Sequence, residues 1–283
     1  MFCKRKFTTA TLRQLRSISS PTHQKNINFI AFLLCCMPFA FSISVISASD
    51  KEHKDKFTIK SILMAIKMFF YCLQYPIFPN MVALLYCVLC QRCYSFIGSL
   101  TQEVRNMSPM VFGPSQQIYI LRRKAKVDGV LNNIQNVFSV PIFFMLIANL
   151  SSCAIVVAWI LEYSLKEYQS FMIIGTVFFV INSFSSMTAV LWMAGQVPIQ
   201  LQKLKESFYE KAHLRLISVC DLNEPQYKKE LLEKPDFVLT GCDIISLRRS
   251  TILGVFGTLL TYTVLAVSIK GNGVNERNAT CTV

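Results

Sequence analysis

The chain has 283 residues, of which 53% are hydrophobic and only 16% charged. That composition excludes intrinsic disorder, a collagen-like repeat and a small disulfide scaffold, and it exposes too few polar groups for an ordinary soluble domain. The net charge is +13, from 29 basic and 16 acidic residues. Where those charges fall decides whether they point to nucleic acid, to anionic lipid or to membrane topology.

A bilayer span needs about 20 apolar residues. Five runs approach that length, at residues 28–47, 68–90, 137–161, 171–194 and 251–269, and none contains Asp, Glu, Lys, Arg or His. The predicted fold class is therefore all-α, a polytopic integral membrane protein of about five transmembrane helices. The absence of ionisable residues from the runs speaks against a proton relay or an ion-coupled pump. Residues 28–47 follow a basic leader, as a signal peptide would, but the leader and the apolar run are both long for one, so the run is read as a span.

The basic residues are distributed unevenly between the runs. Of the 29 Lys and Arg residues, 21 lie before the first run, between the second and third, or between the fourth and fifth; eight lie in the other gaps. By the positive-inside bias the amino terminus is cytoplasmic and the carboxyl terminus external. The expected organisation is a basic cytoplasmic segment over 1–27, a four-helix membrane region over 28–194 with a cytoplasmic helical loop at 91–136, and a cytoplasmic helical or loop segment over 195–250. A carboxyl-terminal pore helix over 251–269 and an extracellular tail over 270–283 complete it. Asn278 in the tail begins an Asn-Ala-Thr sequon, open to glycosylation on that side. The charge asymmetry labels topology, so no nucleic acid partner is needed.

The cytoplasmic stretches are patterned. Val127, Leu131, Ile134 and Phe138 recur at helical spacing, so a helix runs from the cytoplasm into the third span. Leu201, Leu204 and Phe208 continue the fourth span in the same way. Such segments either lie on the membrane surface or project below it and pack together. A flexible loop is expected over 218–234, where the composition turns polar around Pro225.

Enzyme chemistry finds no support. His23, His53 and His213 are far apart in polar segments, and no phosphate-binding glycine loop or nucleophile elbow occurs. Cys87, Cys90 and Cys93 form C-x-x-C-x-x-C, a spacing that holds metal in loops; on an apolar helix it reads as small hydrophobes. No cofactor and no metal site is expected.

The fifth run is organised differently. Thr251, Gly254, Thr258, Thr261, Leu265 and Ser268 are spaced three and four apart, which puts small and polar residues on one helix face, with Leu265 its one bulky apolar member. Large apolar residues stand against them. Hydroxyls along a span can replace part of an ion's hydration shell, so the stripe suits a pore lining, with Leu265 as a dewetting gate. Close helix packing through Gly254, Gly257 and Thr258 is the structural alternative.

Residues 237–269, which contain Thr261-Tyr262 followed by five mostly apolar residues, resemble the last helix of the arthropod gustatory receptor family, within the insect chemoreceptor superfamily. That family continues with Gln-Phe where this chain has Ser268-Ile269. Residues 121–140 resemble the family's entry into its fifth helix. The resemblance implies a seven-helix plan of which the five runs are the third to seventh helices, the first two being absent as if truncated. It implies a plasma-membrane, ligand-gated cation channel, a homo- or hetero-tetramer of related subunits in the lipid bilayer that detects small organic tastants. The last helix of each subunit would line the pore. A ligand pocket in the outer half of the membrane would draw on Phe69, Phe70, Tyr71, Gln74 and Tyr75 and on Phe171, Phe178 and Asn182. A multi-pass scaffold without a pore, or a transporter-like protein, is the alternative.

Overall fold

The computed structural model describes residues 73–162, 170–219 and 237–280, together with Cys36, Ile43, Leu63, Ile66, Lys67, Phe69, Phe70 and Tyr71. Apart from Cys36 and Ile43, both helical, the expected first span lies outside the described residues, as does the expected loop beyond Val219.

Pro76 shapes the entry to the second span. A residue before proline is pushed out of the helical region, and Tyr75 is extended, at φ −147° and ψ 118°, inside a π-turn over Leu73–Ile77. Helix α1 then occupies Phe78–Asn106. The run at 68–90 is thus broken near its start, and the helix continues well past Cys90 into the segment expected as a helical loop. Buried apolar side chains on one face of that segment hold it helical, as described below.

Helix α2 occupies Pro114–Glu162, 49 residues, and α3 occupies Ser170–Val219, 50 residues. At the α-helical rise each is about 75 Å long, against a hydrocarbon core of about 30 Å. A helix of that length extends far beyond any bilayer it crosses. The expected passage of helix from 116–139 into the third span, and onward from the fourth span through 199–217, is what α2 and α3 show, with Pro141 and Pro198 accommodated inside them. Three helices, Phe78–Asn106, Pro114–Trp159 and Gly175–Ser218, are long and apolar enough to cross a membrane, and Arg249–Leu265 forms a shorter apolar helix. The fold is that of an all-α polytopic membrane protein.

The chain divides into two compact units. The first holds the described residues of Leu85–Phe143 and Val190–Arg249; the second holds those of Lys25–Leu84, Phe144–Ala189 and Ser250–Val283.

The first unit is built on heptads. The buried residues include Tyr86, Cys90, Cys93, Ile97, Leu100 and Val104 on α1; Val127, Leu131, Ile134, Phe138 and Ile142 on α2; and Val190, Ala194, Val197, Leu201, Leu204 and Phe208 on α3. Spacings of four and three give each helix an apolar seam at the heptad period, widened by buried neighbours such as Leu89, Val130 and Leu191. Burial of each large side chain contributes about 1.5–3 kcal/mol, so the seam dominates this unit's stability. It also explains the cysteine motif. Cys90 and Cys93 are seam residues with no exposed thiol, and the described residues contain no cluster able to hold a metal. Arg123 adds an ion pair to Glu103 at 2.6 Å and lies over the Phe96 ring at 5.1 Å. Being partly exposed, the pair is worth no more than about 1 kcal/mol.

In the second unit several buried positions are polar, namely Asn80, Asn149 and Ser183, alongside Met145, Leu146, Cys153 and Met187. Polar side chains buried in spans carry a cost that a hydrogen-bond network has to offset.

Two short strands, β1 (Thr240–Gly241) and β2 (Ile245–Ser246), pair antiparallel, Thr240 with Ser246 and Gly241 with Ile245. The turn between them places Cys242 and Asp243 at φ 52° and 57°, with the Ile244 amide donating to the Gly241 carbonyl at 3.0 Å. Two successive left-handed residues make a tight hairpin turn whose twist suits paired strands. Helix α4 follows at Arg249–Thr280, so its backbone stays helical through most of the segment expected as a tail.

Candidate functional site

Helix α4 begins where α3 lets it. A Cβ at Gly195 would lie 2.8 Å from the Arg249 amide nitrogen, 3.0 Å from Arg249 Cγ and 3.3 Å from the Arg248 carbonyl carbon. Only glycine admits so close an approach. One turn before it, Trp192 takes the Arg249 guanidinium over its ring at 4.1 Å, a cation–π contact.

The hairpin just before α4 is held by α2. Opposed non-hydrogen-bonded residues in an antiparallel pair turn their N–H and C=O outward, and Thr240 is such a residue. The Gln135 side chain meets both groups. Its Oε1 accepts from the Thr240 amide at 2.9 Å, and its Nε2 donates to the Thr240 carbonyl at 3.0 Å and to the Thr240 hydroxyl. One turn on, Ser139 Oγ accepts from the Cys242 amide at 2.7 Å. A further turn on, Phe143 lies against Gly241, where an added Cβ would meet its Cβ at 3.3 Å. Gln135, Ser139 and Phe143 thus form one ridge of α2, four residues apart, that seats the hairpin. The sequence reading missed them, because a Gln and a Ser four apart on a helix are common.

Along α4 the side chains sort into three faces. Ile252, Val255, Leu259 and Thr263 are half-buried, and Phe256 meets the Phe184 ring edge-on at 4.8 Å. Leu253, Leu260 and Val264 form an exposed apolar face, Leu253 at 74%. The expected stripe makes the third. Gly254, Thr258, Thr261, Leu265 and Ser268 are all exposed, while Thr251 at the helix start is half-buried. Tyr262, the motif partner of Thr261, is exposed beside it. A Cβ added at Gly254 or Gly257 meets nothing within 4 Å among the described residues, so close packing through these glycines has no partner within the described chain.

The hydroxyls of the stripe share one chemistry. Thr258 donates to the Gly254 carbonyl at 2.9 Å, Thr261 to Gly257 at 2.8 Å and Ser268 to Val264 at 2.9 Å. Their protons are spent inside the helix. What the oxygens offer outward is lone pairs, which suit a cation.

In the second unit the extended backbone at Tyr75 accompanies a polar cluster. The Tyr75 hydroxyl lies 2.6 Å from Ser152 Oγ on α2 and 3.3 Å from Ser183 Oγ on α3, and it donates to Asn149 Oδ1 at 3.3 Å. Its ring stacks on Phe179 at 6.3 Å, and Tyr71 and Phe178 meet Phe179 edge-on at 5.9 and 5.6 Å. Asn80 Nδ2 donates to Asn182 Oδ1 at 2.7 Å. Of the expected ligand residues, the structure thus gathers Tyr71, Tyr75 and Phe178 around one ring, and it ties Asn182 to Asn80. Gln74 is exposed, and Phe69 and Phe70 pair edge to face at 5.9 Å with Phe70 exposed. Phe171 falls on α3 with its side chain outside the described residues, as does the side chain of Asn278 on α4. Asn80, Asn149, Ser152, Ser183 and Phe179 were not expected. For the four polar residues, a polar side chain inside an apolar run was the only sequence signal, and Phe179 had none.

Among the described residues, the buried side-chain atoms left without a hydrogen-bond partner are Asn149 Nδ2, Asn182 Nδ2 and Ser186 Oγ here, and Tyr86 Oη in the first unit. Each such group costs about 1–3 kcal/mol. Tyr75→Phe removes the hydroxyl that Asn149, Ser152 and Ser183 share. It is expected to lower stability by about 1–2 kcal/mol, read as an earlier melting transition of the detergent-solubilised chain. An unchanged transition would show that the cluster carries no stability.

No protein-family model matches the chain. No curated protein matches it either. Among solved structures, the insect olfactory receptor OR5 from Machilis hrabei, determined in complex with eugenol, superposes with a TM-score of 0.65 at 13% sequence identity over 94% of this chain and 70% of that one. The chain has the fold of an insect olfactory receptor.

Proposed function

We propose that the chain is a chemosensory receptor subunit of the gustatory type, a ligand-gated cation channel of the plasma membrane that responds to small organic tastants. The observation that carries this reading is the stripe on α4, exposed and set apart from the helix's packed face, with back-bonded hydroxyls that present oxygen lone pairs outward. A ring of such stripes encloses a path for a cation only when several copies or related subunits assemble, so the working form is a homo- or hetero-tetramer. The exposed face of Leu253, Leu260 and Val264 suits lipid or a neighbouring subunit. Leu265, 58% exposed within the stripe, is the candidate gate. The Tyr75 cluster is the candidate ligand site. The amino terminus is cytoplasmic, the carboxyl terminus and Asn278 are external, and no cofactor takes part.

Cysteine scanning in a heterologous membrane tests the pore. Thr258→Cys, Thr261→Cys and Ser268→Cys are expected to react with a water-soluble thiol reagent and lose current, with Leu259→Cys at least ten times slower. Equal rates at all four positions would return the chain to a membrane scaffold without a pore.

A further inference from the structure

Two asparagines of the second unit, Asn149 and Asn182, are held in one orientation by a neighbour. Asn149 is 2% exposed, and its Oδ1 accepts from Tyr75; the Oδ1 of Asn182 accepts from Asn80. In each case the acceptor end is engaged and the Nδ2 end is buried without a partner. An amide nitrogen can only donate. Ser186 Oγ, one turn from Asn182 on α3, is the third unpartnered buried atom of this unit, and it too can donate. Close to Asn149, the Tyr75 ring lies parallel to that of Phe179, with 15° between their planes. The cluster therefore combines aromatic surface with donors that lack acceptors.

We infer that this site selects ligands carrying a hydrogen-bond acceptor, a ketone, ester or ether oxygen, on a flat apolar body, with Asn149 Nδ2 as the donor that reads it. The inference rests on the Tyr75 cluster being the ligand site. It adds the chemical class. A hydrocarbon of the same shape leaves the buried donor unpaired, so it gains the apolar contact alone. An alcohol offers the same oxygen but brings a proton that must share an asparagine oxygen already accepting one bond or turn to the Ser186 hydroxyl, so its gain is smaller.

The test measures binding to the purified full chain in detergent micelles, by displacement or thermal shift, with three probes of matched size: acetophenone, 1-phenylethanol and ethylbenzene. Acetophenone is expected to bind roughly ten times more tightly than ethylbenzene, as one neutral hydrogen bond allows, with the alcohol between them. Asn149→Leu is expected to abolish that ratio while keeping ethylbenzene binding. Asn149→Ala, which removes the donor without adding bulk, serves if the leucine variant does not fold. Equal binding of ketone and hydrocarbon by the wild-type chain would overturn the inference and leave the receptor reading standing, as would a ratio that survives both substitutions. Failure of all three probes to bind would overturn the ligand site itself. A ketone preference without any current would support the inference while removing the channel.

Discussion

Gly195→Val is expected to destabilise the folded chain more than any other single substitution considered for this protein. The nearest atom to the new Cβ, at 2.8 Å, is the backbone nitrogen of Arg249, and backbone cannot rotate aside as a flexible side chain can. Glycine inside a helix costs about 1 kcal/mol relative to alanine, so α3 tolerates Gly195 for the sake of this approach. Alanine recovers that propensity but incurs overpacking of about 1–3 kcal/mol. Valine adds two methyls to the same collision and gives up part of the propensity gain. The measurement is melting of the solubilised chain by fluorescence-detected size exclusion. Gly195→Ala should lower the transition by roughly 2–6 °C, and Gly195→Val should leave little monodisperse protein. Trp192→Ala, which removes only the contact under Arg249, should cost about 0.5–1 kcal/mol. A valine variant that melts with the wild type would show that α4 does not start against α3.

Gln135→Leu is expected to have the second largest effect, and a more local one. The leucine keeps the apolar stem but strips the partners from the Thr240 amide and carbonyl, a loss of about 2–3 kcal/mol for two backbone groups. Gln135→Glu keeps an acceptor for the amide and loses the donor, so its cost should be intermediate. Ser139→Ala frees only the Cys242 amide and should cost about 1 kcal/mol. Hydrogen exchange separates this from general destabilisation. The amides of Thr240 and Cys242 should exchange at least ten times faster in Gln135→Leu and Ser139→Ala respectively, with the α1 seam around Ile97 and Leu100 little changed. Unaltered exchange at Thr240 would show that Gln135 does not clamp the hairpin. The hairpin ends at Ser246 and α4 begins at Arg249. Loosening the clamp should therefore also change the reactivity of Thr258→Cys, in the direction of slower modification on a less ordered α4.

Much of the membrane architecture was legible because burial in lipid imposes composition on contiguous sequence. Residues 137–161 and 171–194 lie within α2 and α3, and the seam residues Val127, Leu131, Ile134, Leu201 and Leu204 were visible because aliphatic side chains carry the period themselves. The seam of α1 was not, because Tyr86, Cys90 and Cys93 hold its first half and do not mark the period as aliphatic side chains do; the cysteines read as small hydrophobes, without a face assigned to them. The break at Tyr75 was within reach, since Pro76 follows it. What it leads to was not: the hydroxyls and amides that meet Tyr75 come from positions 74 to 108 residues away.

By itself, then, the sequence determined the class, the helices and the three-four period that puts Thr258, Thr261 and Ser268 on one face of α4. These follow from local composition and periodicity, which act through neighbours a turn or two apart. Only the tertiary structure decided that this face stays clear of packing among the described residues, that Gly195 and the Gln135 ridge set where α4 begins, and that Asn149 is left with an open donor. Those depend on which distant backbone and side-chain groups meet. A hydrogen bond or a close approach between residues a hundred positions apart leaves no periodic trace, because it asks for one residue at one place.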